Sequence, residues 1–169
     1  APYIGSKRRW AKAIRDVLRL PNSFDQYVLI DPSPWGEAWT AIGSREREQV
    51  MESLRFITTG DPDDALKMCI DGGIPEDRPM RVAMFLFLQR VAFKGKPVGY
   101  GPDRKWRWPG PSWTYLRGFE GNEKFGKVKP QGPTALKRLV KVPLDTIYGI
   151  HGTIQDAAPP FRAGDLVFI

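Results

Sequence analysis

Tyr27-Val28-Leu29-Ile30-Asp31, followed by Pro32-Ser33-Pro34-Trp35-Gly36, reads as a short buried strand closing on a turn rich in Pro and Gly. A strand that ends in an acidic residue before a tight turn is how nucleotide-binding α/β folds present a carboxylate to a ribose hydroxyl pair. The same pattern arises when an Asp merely solvates a turn, so on this ground alone Asp31 has two readings. No glycine triad or phosphate loop follows it, which argues against a dinucleotide or a nucleoside triphosphate. Two later runs share the character of the first. Ile150-His151-Gly152-Thr153-Ile154-Gln155-Asp156 follows a strand predicted near 146–151, and Gly164-Asp165-Leu166-Val167-Phe168-Ile169 reads as a buried parallel strand. The expected fold class is therefore α/β.

Between these strands the apolar spacing is helical. Ser6 is a plausible cap for a helix over about 7–19, with Trp10, Ile14, Val17 and Leu18 on one face. Ser44 is expected to cap a second, with Val50, Met51, Leu54 and Ile57 as its buried stripe. Asp61-Pro62 opens a third, with Leu66, Met68, Cys69 and Ile70 inside and Gly72-Gly73 ending it. Pro79 starts a fourth, terminated by Gly95; its Val82–Leu88 run is apolar all round and should be the most buried. From 97 to 133 the density of Gly and Pro predicts a hairpin or loop excursion, followed by a short helix over about 134–141.

The chain has 169 residues, of which 41% are hydrophobic, enough for the core of one domain. No apolar run reaches the roughly 18 residues of a membrane span. The N-terminal stretch is charged and amphipathic, unlike the apolar heart of a signal peptide. A single Cys69 excludes an internal disulfide, and one Cys with one His excludes the usual zinc sites, so no metal is expected. Cys69 is expected in the core. The net charge of +7 is unevenly spread: residues 81–141 carry fourteen basic and three acidic side chains, while the remainder is slightly acidic. Trp106, Trp108, Trp113, Tyr100 and Tyr115 are interleaved with those cations. Basic residues hold phosphates by attraction and counterion release, and aromatic faces stack on bases. A polyanion partner is the first reading of the segment, and a solvated basic loop with core-packed tryptophans is the second.

Three blocks of the chain carry a family resemblance. Tyr3-Ile4-Gly5-Ser6-Lys7-Arg8-Arg9-Trp10 resembles the opening motif of Dam-type, adenine-specific DNA methyltransferases, many of them phage-borne, in which a Gly-Ser-Lys-like turn leads into a helix. Phe87-Leu88-Gln89-Arg90-Val91-Ala92-Phe93-Lys94-Gly95-Lys96 is similar to the family's Leu-Asn-Arg-x-x-x-Asn-Gly stretch, with Arg107-Trp108-Pro109-Gly110 as a diverged counterpart of its Phe-Asn-Val-Pro-x-Gly step. Ile150–Asp156 with Asp165–Ile169 resembles the approach to the catalytic Asp-Pro-Pro-Tyr motif, which in the family comes next. The family's Phe-x-Gly-x-Gly turn is replaced here by Asp31-Pro32-Ser33-Pro34-Trp35-Gly36.

The resemblance implies an incomplete Rossmann-like sheet packed by helices. Residues 1–80 and 142–169 would form a cofactor-side scaffold, and 81–141 a DNA-recognition excursion, within one domain. It implies S-adenosylmethionine as cofactor, double-stranded DNA as partner, no membrane, and a cytoplasmic setting in a bacterium or phage-infected host. Tyr3, Gly5, Ser6, Lys7, Asp31, Ile154 and Asp156 would lie on the cofactor side. Arg90, Lys94, Lys96, Arg104, Lys105 and Arg107 would meet DNA. An adenine amino group is a poor nucleophile, so such an enzyme flips the base out and holds it against the sulfonium methyl. The residues that accept the amino hydrogens belong to Asp-Pro-Pro-Tyr, so no catalytic residue is assigned, and the expectation is a truncated chain that binds without transferring methyl. The rival from another class is a non-catalytic nucleic-acid-binding module.

Overall fold

The computed structural model describes residues 27–31, 33–112, 144, 147–152 and 166–168. In chain order the elements are strand β1 (Tyr27–Asp31) and helices α1 (Trp35–Ile42), α2 (Arg47–Thr59), α3 (Pro62–Asp71) and α4 (Arg78–Val91). A 3-10 turn (Phe93–Gly95) leads to the hairpin strands β2 (Gly99–Tyr100) and β3 (Trp106–Arg107), followed by strands β4 (Ile147–His151) and β5 (Leu166–Phe168). The predicted helices at 7–19 and 134–141 lie outside the described residues.

β1 is the centre of a three-stranded sheet, with β4 on one side and β5 on the other, both parallel to it. Register pairs Leu29 with Gly149 and Asp31 with His151, so Asp31 and His151 stand side by side at the carboxyl edge. Successive residues of a strand face opposite sides of the sheet. Val28 and Ile30 accordingly share a buried face, with Ile150 packed against them.

α1 meets β4 at backbone distance. A β-carbon on Gly149 would fall 1.8 Å from the Gly36 carbonyl oxygen, and one on Gly36 would fall 2.2 Å from that of Ile150. Only glycine fits at either position. Thr40, one turn along α1, accepts from the Gly149 N–H at 2.7 Å and donates to the Gly149 carbonyl at 2.7 Å. One hydroxyl thus satisfies both polar groups of a strand residue, a role that a neighbouring strand ordinarily fills.

The helical layer packs on its own core. Val50, Leu54 and Ile57 of α2 recur at helical spacing and are buried in the same cluster as α4, where Phe85 and Phe87 are the largest fully buried side chains. Trp35 meets Phe85 edge-on at 5.1 Å between centroids. Asp61 caps α3 by accepting from the N–H groups of Asp63 and Asp64, and Asp77 caps α4 by accepting from that of Met80. Arg78 grips Glu46 with two nitrogens, at 2.7 and 2.5 Å, joining the starts of α2 and α4.

The structure moves several sequence-based boundaries. The Pro-rich turn is shorter than its composition suggested: Pro34, at φ −61°, already takes a helical backbone and α1 begins at Trp35. α2 starts at Arg47 because Ser44 Oγ accepts from the Glu46 N–H, while the buried Arg47 donates through Nε to the Ile42 carbonyl at 2.7 Å. In α3 the buried stripe runs through Ala65, Leu66 and Cys69, which leaves Ile70 at its margin and 38% exposed. α4 ends at Val91, before Gly95, since Ala92 turns extended and bridges to Pro111. No helix among the described residues is long and apolar enough to cross a membrane.

Candidate functional site

The carboxyl ends of parallel strands are where α/β folds build sites, because the loops that follow them converge there. Here that edge begins with Asp31. Its Oδ1 accepts from the Ser33 N–H at 2.8 Å and from the Ser33 hydroxyl at 2.5 Å, a local turn that delivers the chain into α1. Its second carboxylate oxygen has no hydrogen bond among the described residues. The Gly152 N–H donates to the Asp31 carbonyl at 3.0 Å, pinning the end of β4 beside it.

A polar chain runs from this edge into the protein. His151 Nδ1 lies 3.1 Å from the Tyr100 hydroxyl, which is 2.6 Å from Glu37 Oε2. Glu37 Oε1 accepts from Arg81, through Nε at 2.8 Å and through the terminal nitrogen Nη2. Arg81 Nη1 donates to the carbonyls of Pro75 and Glu76, each at 2.7 Å. The Tyr100 hydroxyl has one proton, directed at the carboxylate, so His151 donates from Nδ1, and in the neutral ring Nε2 is left as the acceptor.

Both members of the ion pair are largely covered, with Glu37 12% and Arg81 18% exposed at the side chain. Burial alone would raise the Glu37 carboxyl. The hydrogen bonds from Arg81 and Tyr100, with the charges of Arg81 and His151, outweigh it and hold the group below its ordinary range. Burial and the neighbouring Glu37 carboxylate push the Tyr100 phenol far upward, so Tyr100 is a fixed hydrogen-bonding bridge and not an acid at neutral pH. Its ring stands edge-on to His151 at 5.0 Å and to Trp106 at 5.6 Å. Tyr100 and Trp106 are paired across the β2–β3 hairpin, so the hairpin is fastened to the carboxyl edge of the sheet.

The predicted DNA set lies on the segment that this fastening holds. Lys94 and Lys96 are exposed in the turn after α4, and Lys105 is exposed in the hairpin loop; none has an acidic partner among the described residues. Arg90 is half-buried in the last turn of α4. The two remaining arginines have structural bonds. Arg104, at φ 54°, donates to the Ile74 carbonyl at 2.8 Å and lies 3.8 Å from Glu76, while Arg107 pairs with Asp103 at 3.2 Å. The exposed lysines are thus the more available cations.

Of the predicted cofactor-side residues, Asp31 alone is described; Tyr3, Gly5, Ser6, Lys7, Ile154 and Asp156 lie outside the described residues. Sequence reading assigned none of Glu37, Arg81, Tyr100 and His151 a site role: Tyr100 stood only among the interleaved aromatics, His151 only within the Ile150–Asp156 run, and Glu37 and Arg81 in neither. No local pattern could have found them, since Arg81 and Tyr100 are 44 and 63 residues from Glu37. Cys69 is fully buried, and burial pushes its thiol up to about 12, as a core cysteine requires. No cluster of three or more metal-ligating side chains occurs among the described residues. An open groove of about 460 Å³ lined by Glu52, Phe56, Asp77 and Met80 includes none of the candidate residues. Compared with protein-family models and with curated proteins, the chain matches none.

Proposed function

We propose that this chain is the DNA- and S-adenosylmethionine-binding portion of a Dam-like, adenine-specific (N6) DNA methyltransferase, built on a Rossmann-like sheet. The observation that carries the reading is the fastening of the basic hairpin to the carboxyl edge of the sheet through His151, Tyr100 and Glu37. A base methyltransferase needs its DNA-contacting segment beside its cofactor edge, and a bond chain from the basic hairpin to the carboxyl edge of the sheet supports that reading. The three blocks of family resemblance, in the family's order, support the same reading.

Asp31 fits a cofactor role in chemistry as well as position. One carboxylate oxygen is held by Ser33, which fixes the group, and the other is left to accept from a ribose hydroxyl or an ammonium group. S-adenosylmethionine supplies an electrophilic methyl on its sulfonium when bound. The residues described here bind and orient: Asp31 receives donors, the Glu37–Arg81 pair stiffens the first turn of α1, and Lys94, Lys96 and Lys105 attract phosphates. The use of Asp31 Oδ1 in its own turn favours the second reading, a nucleic-acid-binding module without cofactor. Calorimetry separates the two. Saturable binding of S-adenosylmethionine that Asp31→Ala weakens about tenfold or more is expected; no binding by the wild-type chain would leave the module reading in place.

A further inference from the structure

The open groove beside the start of α4 is acidic and has an aromatic wall. Gln49, Glu52, Ser53 and Phe56 line it from α2, on a different face of that helix from the buried Val50, Leu54 and Ile57, and Asp77 and Met80 line it from the start of α4. Phe56 is 65% exposed and Met80 half-buried. One exposed apolar side chain is ordinary. Here it shares a groove whose charged lining residues, Glu52 and Asp77, are both carboxylates, and neither has a basic partner among the described residues. Asp77 is held in place, since its Oδ2 accepts from the Met80 N–H at 2.8 Å.

The opposite end of α4 carries the complementary chemistry. Phe93 is 44% exposed, and Lys94 and Lys96 beside it are exposed without acidic partners among the described residues. The Lys94 ammonium lies 5.4 Å from the centroid of the Phe93 ring, so ring and charge are presented as one unit. The turn is fixed from behind by the buried Gln89, whose Nε2 donates to the Lys96 carbonyl and whose Oε1 accepts from the Val98 N–H, both at 3.0 Å. α4 has 14 residues, so its two ends lie on the order of 20 Å apart. The basic turn therefore cannot reach the groove of its own chain.

We propose that the groove receives the basic turn of a second copy of this chain, with Lys94 and Lys96 of one copy meeting Glu52 and Asp77 of the other. Exposed ion pairs alone hold little, and burial of Phe56 and Met80 against the Phe93 side of the turn supplies the apolar part. Two grooves placed face to face would oppose like charges. The contact is therefore head-to-tail: each copy gives its turn to one neighbour and its groove to another, which builds chains or rings of copies. On the nucleic-acid reading, a turn seated in a neighbour's groove is withheld from phosphates.

Sedimentation of the full chain without nucleic acid tests the contact independently of that reading. A single groove and turn make a small interface, so the wild-type mass should rise above that of one chain over about 10 to 300 μM. Glu52→Ala with Phe56→Ser removes the groove, and Lys94→Glu with Lys96→Glu reverses the turn; each double variant should stay monomeric. All four positions are at the surface, so thermal melting should show both variants folded. An equimolar mixture of the two should form pairs and nothing larger, because one retains its turn and the other its groove. A wild-type chain that is monomeric throughout, association retained by either variant, or a mixture that stays monomeric would overturn the proposal.

Discussion

The Tyr100 hydroxyl donates to Glu37 Oε2 at 2.6 Å, joining the basic hairpin to the helix that leaves the central strand. The acceptor is a carboxylate, already anchored by Arg81, so the bond is charge-assisted and stronger than a neutral one. On its other side the same hydroxyl meets His151, which sits beside Asp31 at the sheet edge. The hairpin and the edge are parts of one hydrogen-bonded unit.

Stability should therefore depend on the ionisation of Glu37. Its carboxyl is held below the ordinary value of 4.5, so the unfolded chain takes up the proton first as pH falls. The stabilisation is fully present above that value and is lost as pH drops through the lower folded one. Urea unfolding between about pH 7 and pH 3 should show this acid loss in the wild type and a flatter profile in Glu37→Gln. At neutral pH that variant should be less stable by about 1–3 kcal/mol, since Arg81 would lose its charged partner. Parallel profiles for the two proteins would count against the pairing.

The contact of α1 with β4 should be intolerant of added atoms. Gly149→Ala would bring a β-carbon onto the Gly36 carbonyl, so backbone must move, at a cost of about 3 kcal/mol or more. Thr40→Val keeps the shape but leaves the Gly149 N–H and carbonyl unpaired, for about 1–3 kcal/mol per group. Denaturant midpoints measure both, and a neutral Gly149→Ala would show that α1 does not lie against β4.

Much of this architecture is legible in the sequence because it rests on local rules. The Tyr27–Asp31 run is too short and too apolar for an exposed loop, and Asp61-Pro62 announces a capped helix before any tertiary contact forms. The Val82–Leu88 run is apolar on every side, and all of it except the half-buried Leu86 is buried. α1 is not legible in the same way. Its buried residues are Gly36, Ala38, Ala41 and Ile42, and with three of the four too small to mark a hydrophobic stripe, the helix is defined by how closely β4 approaches. The Glu37–Arg81–Tyr100–His151 chain draws on four segments distant in sequence, two helices, the hairpin and a strand, so only the fold brings it together. Charge segregation did point to residues 81–141, yet it could not separate Arg104, bonded to the Ile74 carbonyl, from the exposed Lys94, Lys96 and Lys105.

The salt dependence of duplex affinity tests the central claim most directly. If the six basic residues from Arg90 to Arg107 meet phosphates, log K should fall against log salt with a slope of about −5. Replacing Lys94, Lys96 and Lys105 together by Ala should make that slope shallower by about 3, because each released contact contributes about 0.9. A wild-type affinity that does not change with salt, or a triple variant indistinguishable from wild type, would contradict the account.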